Sequence, residues 1–382
     1  MRTIIAAALA GLFVAGQMLA DPTPEERYAA ARKILEKDCS TACGLGIGDD
    51  PAELKALDAM WDASEDWTLT FLRLHPNLTA AALKARLTRK SPMLFEEARI
   101  GPTAVAQLAP GLLAFSLDWG ESGTVFLAAK RNGTWTVAWD ARKAETGSFA
   151  ALEAWHSDQA QPDCHDDAGH FRCGPLYGAA IPLKPDAEGR VRFGLIGTYA
   201  QGAGFTVTSQ ISFWRWNGRT ATPLFASTYA HEEDDVIRGR SATDTVVVRV
   251  KEDYRSFEAC GSCNGRQVDR TFRVRPDRIE DGGKRLVHPE ADFVDQVYDR
   301  LDRHLPVKNM AAPKVAAEMS ANVPSRGDFI TKRSQVCLFS DAFDNFVVQF
   351  HVARRAHGYF IDHLVKVPEP KGTDACAQPS VK

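Results

Sequence analysis

The amino-acid sequence predicts an α+β protein: a helical N-terminal segment, an antiparallel β-meander of the kind that builds irregular propellers and barrels, and a small C-terminal α+β domain. Three observations predict it. Apolar residues recur at helical spacing through residues 21–90. In residues 91–287, β-prone runs are broken by Asn-Gly turns. Over residues 288–367 an amphipathic stripe gives way to alternating runs.

Residues 1–20, "MRTIIAAALAGLFVAGQMLA", carry one positive charge at Arg2, a short apolar run and then small residues, the layout of a signal peptide cleaved after Gly16 or Ala20. The run is too short to span a bilayer comfortably, and no later apolar run replaces it, so no membrane span is expected after cleavage. The expected location is the periplasm or the medium outside the cell. Next, "PTPEERYAAARKILEK" places Tyr28, Ala31, Ile34 and Leu35 at helical spacing. Asp50-Pro51 with Glu53 opens a second helix through Leu54, Leu57 and Trp61, and "NLTAAALKARLTR" forms a third with Leu83 and Leu87 on one side.

In "LLAFSLDWGESGTVFLAAKRNGTWTVAWDAR", β-prone runs flank "WGESG" and Asn132-Gly133. Asn-Gly tolerates the positive φ angles of a type I′ hairpin turn. A second hairpin is expected around Asn217-Gly218, and a third from Asp244 to Ile279. At the C-terminal end, Pro289 opens a helix whose stripe is Phe293, Val294, Val297, Leu301 and Leu305, stopped by Pro306, and a shorter helix covers Pro313 to Met319. "SQVCLFS", "FDNFVVQFHVAR" and "GYFIDHLVKV" then read as three antiparallel strands, and residues 368–382 as a tail.

The chain has 46 basic and 49 acidic residues, and losing Arg2 with the leader moves the net charge from −3 to −4. Such a balance provides no general field for nucleic acid. Basic and aromatic residues between Arg249 and Arg278 alternate with acids, so no nucleic-acid face is expected there. Eight cysteines outside the cytoplasm favour disulfides, and the simplest local pairing is Cys39–Cys43, Cys164–Cys173, Cys260–Cys263 and Cys337–Cys376. "CGSCNG" at Cys260–Cys263 has redox or zinc-knuckle spacing. It runs into a strand-like segment rather than a helix N-terminus that would activate a thiol, so a stapled hairpin tip is expected.

The candidate metal ligands are His165, Asp166, Asp167 and His170 in "CHDDAGHFRC", a loop offering two imidazoles and two carboxylates. His351, His357 and His363 lie on the last two strands, where simple alternation keeps them apart. Trp135 with Trp139, and Trp214 with Trp216, form aromatic rows expected to pack in the core. No catalytic constellation is assembled and no cofactor is expected. The leading expectation is therefore a non-enzymatic binding or envelope-associated protein with a protein or small-molecule partner outside the cytoplasm. The alternative is an extracytoplasmic hydrolase, metal-dependent in one form.

Overall fold

A computed structural model describes residues 21–35, 51–87, 100–119, 122–142, 176–201, 206–232, 239–242, 244–252, 254–256, 258–259, 266–323, 326–332, 335–340 and 346–368. The leader, the tail, the loop holding His165, Asp166, Asp167 and His170, and every cysteine except Cys337 lie outside these residues.

The N-terminal helices are α1 (Pro24–Leu35), α2 (Pro51–Leu74) and α3 (Ala80–Leu87). A capping box starts α1: the Thr23 N–H donates to Glu26 Oε2 at 2.8 Å, and the Glu26 N–H donates to Thr23 Oγ1 at 3.2 Å. Tyr28, Ala31 and Leu35 are buried as the spacing predicts, whereas Ile34 is 46% exposed. Leu57 and Trp61 of α2, and Leu83 and Leu87 of α3, enter the same core.

The described strands form four open sheets, none of which closes into a barrel. The first is β1 (Ala104–Ala109), β2 (Leu112–Trp119), β3 (Ser122–Arg131) and β4 (Thr134–Asp140), an antiparallel meander in chain order. The second orders β5 (Leu176–Tyr177), β7 (Val191–Gln201), β8 (Thr206–Trp216) and β9 (Ala221–Glu232), with β6 (Ile181–Leu183) also on β7. The third is β10 (Gly239–Ala242), β11 (Thr245–Glu252), β13 (Arg266–Val274) and β14 (Ile279–Leu286). The fourth runs β12 (Glu258–Ala259), β15 (Arg326–Lys332), β16 (Gln335–Ser340), β17 (Phe346–Arg355) and β18 (Gly358–Pro368), and its β12–β15 pair is parallel.

The first three sheets stack. Leu113, Phe115 and Leu117 of β2 pack on the helices, while Leu112 and Ala114 face the second sheet. A strand buried on both faces explains why "LLAF" runs apolar without alternation. The far face of the second sheet, with Ile211 and Phe213, meets Val246, Val248, Val250, Val268 and Phe272 of the third.

The Asn132-Gly133 turn has φ of 49° and 82°, both left-handed, as a type I′ turn requires. At the second hairpin only Gly218 is left-handed, with φ 93°. Asn217 acts there through its side chain, whose Oδ1 accepts the Arg219 and Thr220 N–H groups at 2.9 Å.

Three sequence expectations need correction. Trp135 packs with the helices and Trp139 with the second sheet, because a bulge opposite Leu127–Ala128 reverses the faces of β4. The helix after Pro289, α4 (Pro289–Asp302), stops short of Leu305, which is 43% exposed, because His304 turns left-handed with φ 56°. After α5 (Pro313–Ser320) come four strands rather than three. The extra one, β15, reads "RGDFITK", in which Gly327 and Asp328 suppress the β signal.

Ion pairs organise the third sheet. Arg249, Asp269 and Arg285 are cross-strand partners, and Asp269 accepts from Arg249 Nε at 2.9 Å and Arg285 Nη2 at 3.0 Å. Glu252 takes Arg266 Nη1 at 2.7 Å, Arg270 Nη2 at 2.8 Å and Lys284 Nζ at 2.9 Å. Partial burial pushes both carboxyls up, yet these hydrogen bonds and charges hold each below its ordinary value, 4.5 for Glu252 and 3.8 for Asp269. A depressed folded pKa gives stability that is complete above the ordinary value and is lost as the pH falls through the folded one. The melting temperature should therefore drop on acidification below about pH 4.5, the ordinary value of Glu252. Glu252→Gln should flatten that drop in melts followed by circular dichroism.

Candidate functional site

The β17–β18 hairpin builds the one group of potential metal ligands among the described residues: His351, Asp362 and His363. From the turn at Arg355–Gly358 the register is regular as far as Val352 opposite Ile361. Then it shifts, and His351 faces His363 with Asp362 as the extra residue. An unbroken register would put His351 opposite Asp362 and send His363 to the other face. The bulge instead gathers all three on one face, against the sequence expectation that the histidines stay apart. His357 is not part of the cluster.

Asp362 Oδ1 lies 2.8 Å from His351 Nδ1 and 2.8 Å from His363 Nδ1. The imidazoles stack at 4.8 Å with 16° between planes. The group is open to solvent on one side, with side-chain exposures of 36%, 36% and 60% for His351, Asp362 and His363. Partial burial raises the Asp362 carboxyl, but hydrogen bonds and charge from His351, then His363, outweigh it and keep it below its ordinary value. The carboxylate is therefore ionised and oriented at neutral pH.

Two imidazoles and one carboxylate form a donor set for zinc and similar divalent ions, with a fourth position left for water. One ligand atom from each residue lies within 4.8 Å of the others. Ligands of a tetrahedral zinc sit roughly 3.3 Å apart at bond lengths near 2 Å. For an ion to enter, the hydrogen-bonded pairs would part from 2.8 Å and the widest pair of ligand atoms would close from up to 4.8 Å.

A second concentration of charge lies between α2 and β4. Arg142 Nη2 contacts Glu65 at 2.5 Å, Asp140 at 2.9 Å and Asp62 at 3.0 Å, and its Nη1 lies 3.5 Å from Asp58. The spacing of Asp58, Asp62 and Glu65 puts all three on one face of α2. Acid catalysis needs a carboxyl that keeps its proton near neutral pH. Glu65 and Asp140 both bond a guanidinium, so this cluster is a structural clamp.

Cys337 is buried and disulfide-bonded, with its partner outside the described residues. Trp135, Trp139, Trp214 and Trp216 are all buried, so the aromatic rows are core and not a surface for sugars. No described helix is long and apolar enough to cross a membrane.

No family model and no curated protein matches the chain. Among solved structures, a mutant α-L-arabinofuranosidase of Fusarium graminearum with an iminosugar inhibitor is similar over 68% of this chain and 59% of its own, at 7% identity and a TM-score of 0.27. The same organism's enzyme with arabinobiose gives 8% identity and a TM-score of 0.26. The α-L-arabinanase of Penicillium chrysogenum with arabinobiose gives 9% identity over 69% of this chain and 80% of its own, with a TM-score of 0.25. The chain thus spans less than two thirds of the arabinofuranosidase, and likenesses this weak carry neither fold nor activity across.

Proposed function

We propose that this is an exported metal-binding protein whose site is His351, Asp362 and His363, and that the chemistry such a site supports is metal-assisted hydrolysis. One observation carries the reading: Asp362 Oδ1 stands 2.8 Å from two imidazole nitrogens on a solvent-facing sheet surface. A divalent ion held there keeps a position for water and lowers that water's pKa. The leader-like residues 1–20 and the even cysteine count support export. The reading includes the Cys337–Cys376 bond as a clamp on the tail. It also takes the consecutive open meanders as an irregular propeller-like array, supported by the stacking of the first three sheets.

Equilibrium dialysis of the chelator-treated mature chain against Zn²⁺, Cu²⁺ and Ni²⁺ tests it. The wild type is expected to bind one equivalent. His351→Ala, His363→Ala and Asp362→Ala should each weaken binding by about tenfold or more, roughly 1.4 kcal/mol. His357→Ala should leave it unchanged. A His165→Ala, His170→Ala double variant separates this site from the loop His165–His170. Undiminished binding after loss of both His351 and His363 sinks the proposal. Chromogenic ester, phosphate and glycoside substrates, assayed with and without zinc, then divide hydrolase from binding protein.

A further inference from the structure

We propose that an open groove of about 800 Å³ where the third sheet meets α4 binds a soluble ligand carrying at least two oxyanion groups, whether carboxylate, sulfate or phosphate. Among the described residues five cations line it, Arg249, Arg255, Arg266, Lys284 and Arg285, and Asp269 is the one acid.

The cations are held, not loose. Asp269 is shared by Arg249 and Arg285, and Glu252 by Arg266, Arg270 and Lys284. Asp292 is shared by Arg266 Nε at 2.6 Å and Arg255 Nη2 at 3.4 Å. Each carboxylate thus steers two or three cations. Arg266, only 10% exposed, is fixed at both Nε and Nη1. A rigid guanidinium loses little entropy on gripping an oxyanion and matches it bidentately.

The charge is local. Asp281 lies 3.9 Å from Arg270, and buried Asp295 accepts the Arg255 N–H, so with these counted the whole patch is near balance. The attraction therefore acts inside the groove and is screened within about 10 Å of it at moderate salt. Consistent with a positive interior, burial and then the Arg249 charge hold the neighbouring His288 below its ordinary value. Among the described residues no aromatic side chain lines the groove, so they offer no platform for stacking nucleic-acid bases. A concave, carboxylate-braced arginine set also differs from the flexible basic clusters that meet anionic membranes.

Calorimetry on the mature chain, stripped of metal with a chelator that is then dialysed away, tests this with tripolyphosphate, citrate and a sulfated disaccharide. At low ionic strength at least one should bind, losing about tenfold or more between 50 and 200 mM salt. Arg285→Ala and Arg249→Ala should each weaken it by about three- to tenfold, and the pair by more than tenfold. Arg285 is 82% exposed, so folding is not at stake there. Arg219→Ala, at an exposed turn outside the groove, should change nothing. Three results overturn the proposal: no binding of any probe at low salt, equal losses in Arg219→Ala and Arg285→Ala, or binding only to phosphatidylglycerol vesicles.

Discussion

Arg142→Ala should destabilise the protein by about 3–5 kcal/mol, the loss expected when one partner of a buried ion pair is removed. The side chains of Arg142 and Asp140 are each 2% exposed, and that of Glu65 is 5% exposed. Burial opposes the guanidinium charge, but Asp140, Glu65 and Asp62 overcome it and hold the arginine pKa above its ordinary value. Take the arginine away and Glu65 and Asp140 lose the buried cation they share. The Arg142 N–H also donates to Asp140 Oδ1 at 2.9 Å and its Nη1 to the Asp58 carbonyl at 3.4 Å, so one side chain ties helix to sheet.

Urea unfolding checks this, and two further variants separate charge from packing. Arg142→Met restores volume and should remain destabilised, because the cation shared by the buried carboxylates is still missing. Adding Glu65→Gln and Asp140→Asn to Arg142→Met should recover most of the loss, since a neutral buried set need not be paired. A loss below about 1 kcal/mol for Arg142→Ala would mean that water reaches the cluster.

What was legible in the sequence divides by the range of the interaction that decides it. Leu83 and Leu87, Leu57 and Trp61, and the Asn132-Gly133 turn are settled by residues within a few positions, and each stands where the periodicity or turn chemistry puts it. The hairpin at Asn217-Gly218 was readable although its turn chemistry was not, since Asn and Gly serve several turn types. Strand faces were legible only as far as the register was regular. One bulge in β4 parted Trp135 from Trp139, and another in β18 brought His351 and His363 together, because an extra residue inverts every face beyond it.

The Arg142 clamp was invisible for a different reason. Its partners Glu65, Asp62 and Asp58 lie 77, 80 and 84 positions away, and nothing local distinguishes "DARK" from any polar strand end. The stripe Asp58, Asp62 and Glu65 is the sequence signal that could have flagged it: three acids share one helix face with the buried Trp61, and the innermost, Glu65, needs a partner. The basic groove was read through its composition, and its overall balance was right. Composition does not show that five of these cations gather round one cavity, with Glu252 and Asp292 outside its lining.

Trp214→Ala should cost about 3–5 kcal/mol as well, by leaving a cavity where the first and second sheets meet. Trp214 is fully buried, its ring lies 5.3 Å from that of Trp139 across the two sheets, and its Nε1 donates to Ser212 Oγ at 2.9 Å. Leu112, Ala114, Val125, Leu127, Phe193 and Leu195 enclose the same space. These side chains lie on two sheets already fixed by their own ladders, so the site has little freedom to collapse around a missing indole. Trp214→Phe keeps most of the volume and loses the hydrogen bond, so about 1–3 kcal/mol is expected. Guanidinium unfolding gives both values, and the near-ultraviolet dichroism of the coupled Trp139–Trp214 pair should vanish in either variant. An aromatic row that served as an exposed sugar platform would behave oppositely, with ligand binding lost and stability unchanged. A loss of stability that scales with the volume removed identifies Trp214 as the plug between two sheets.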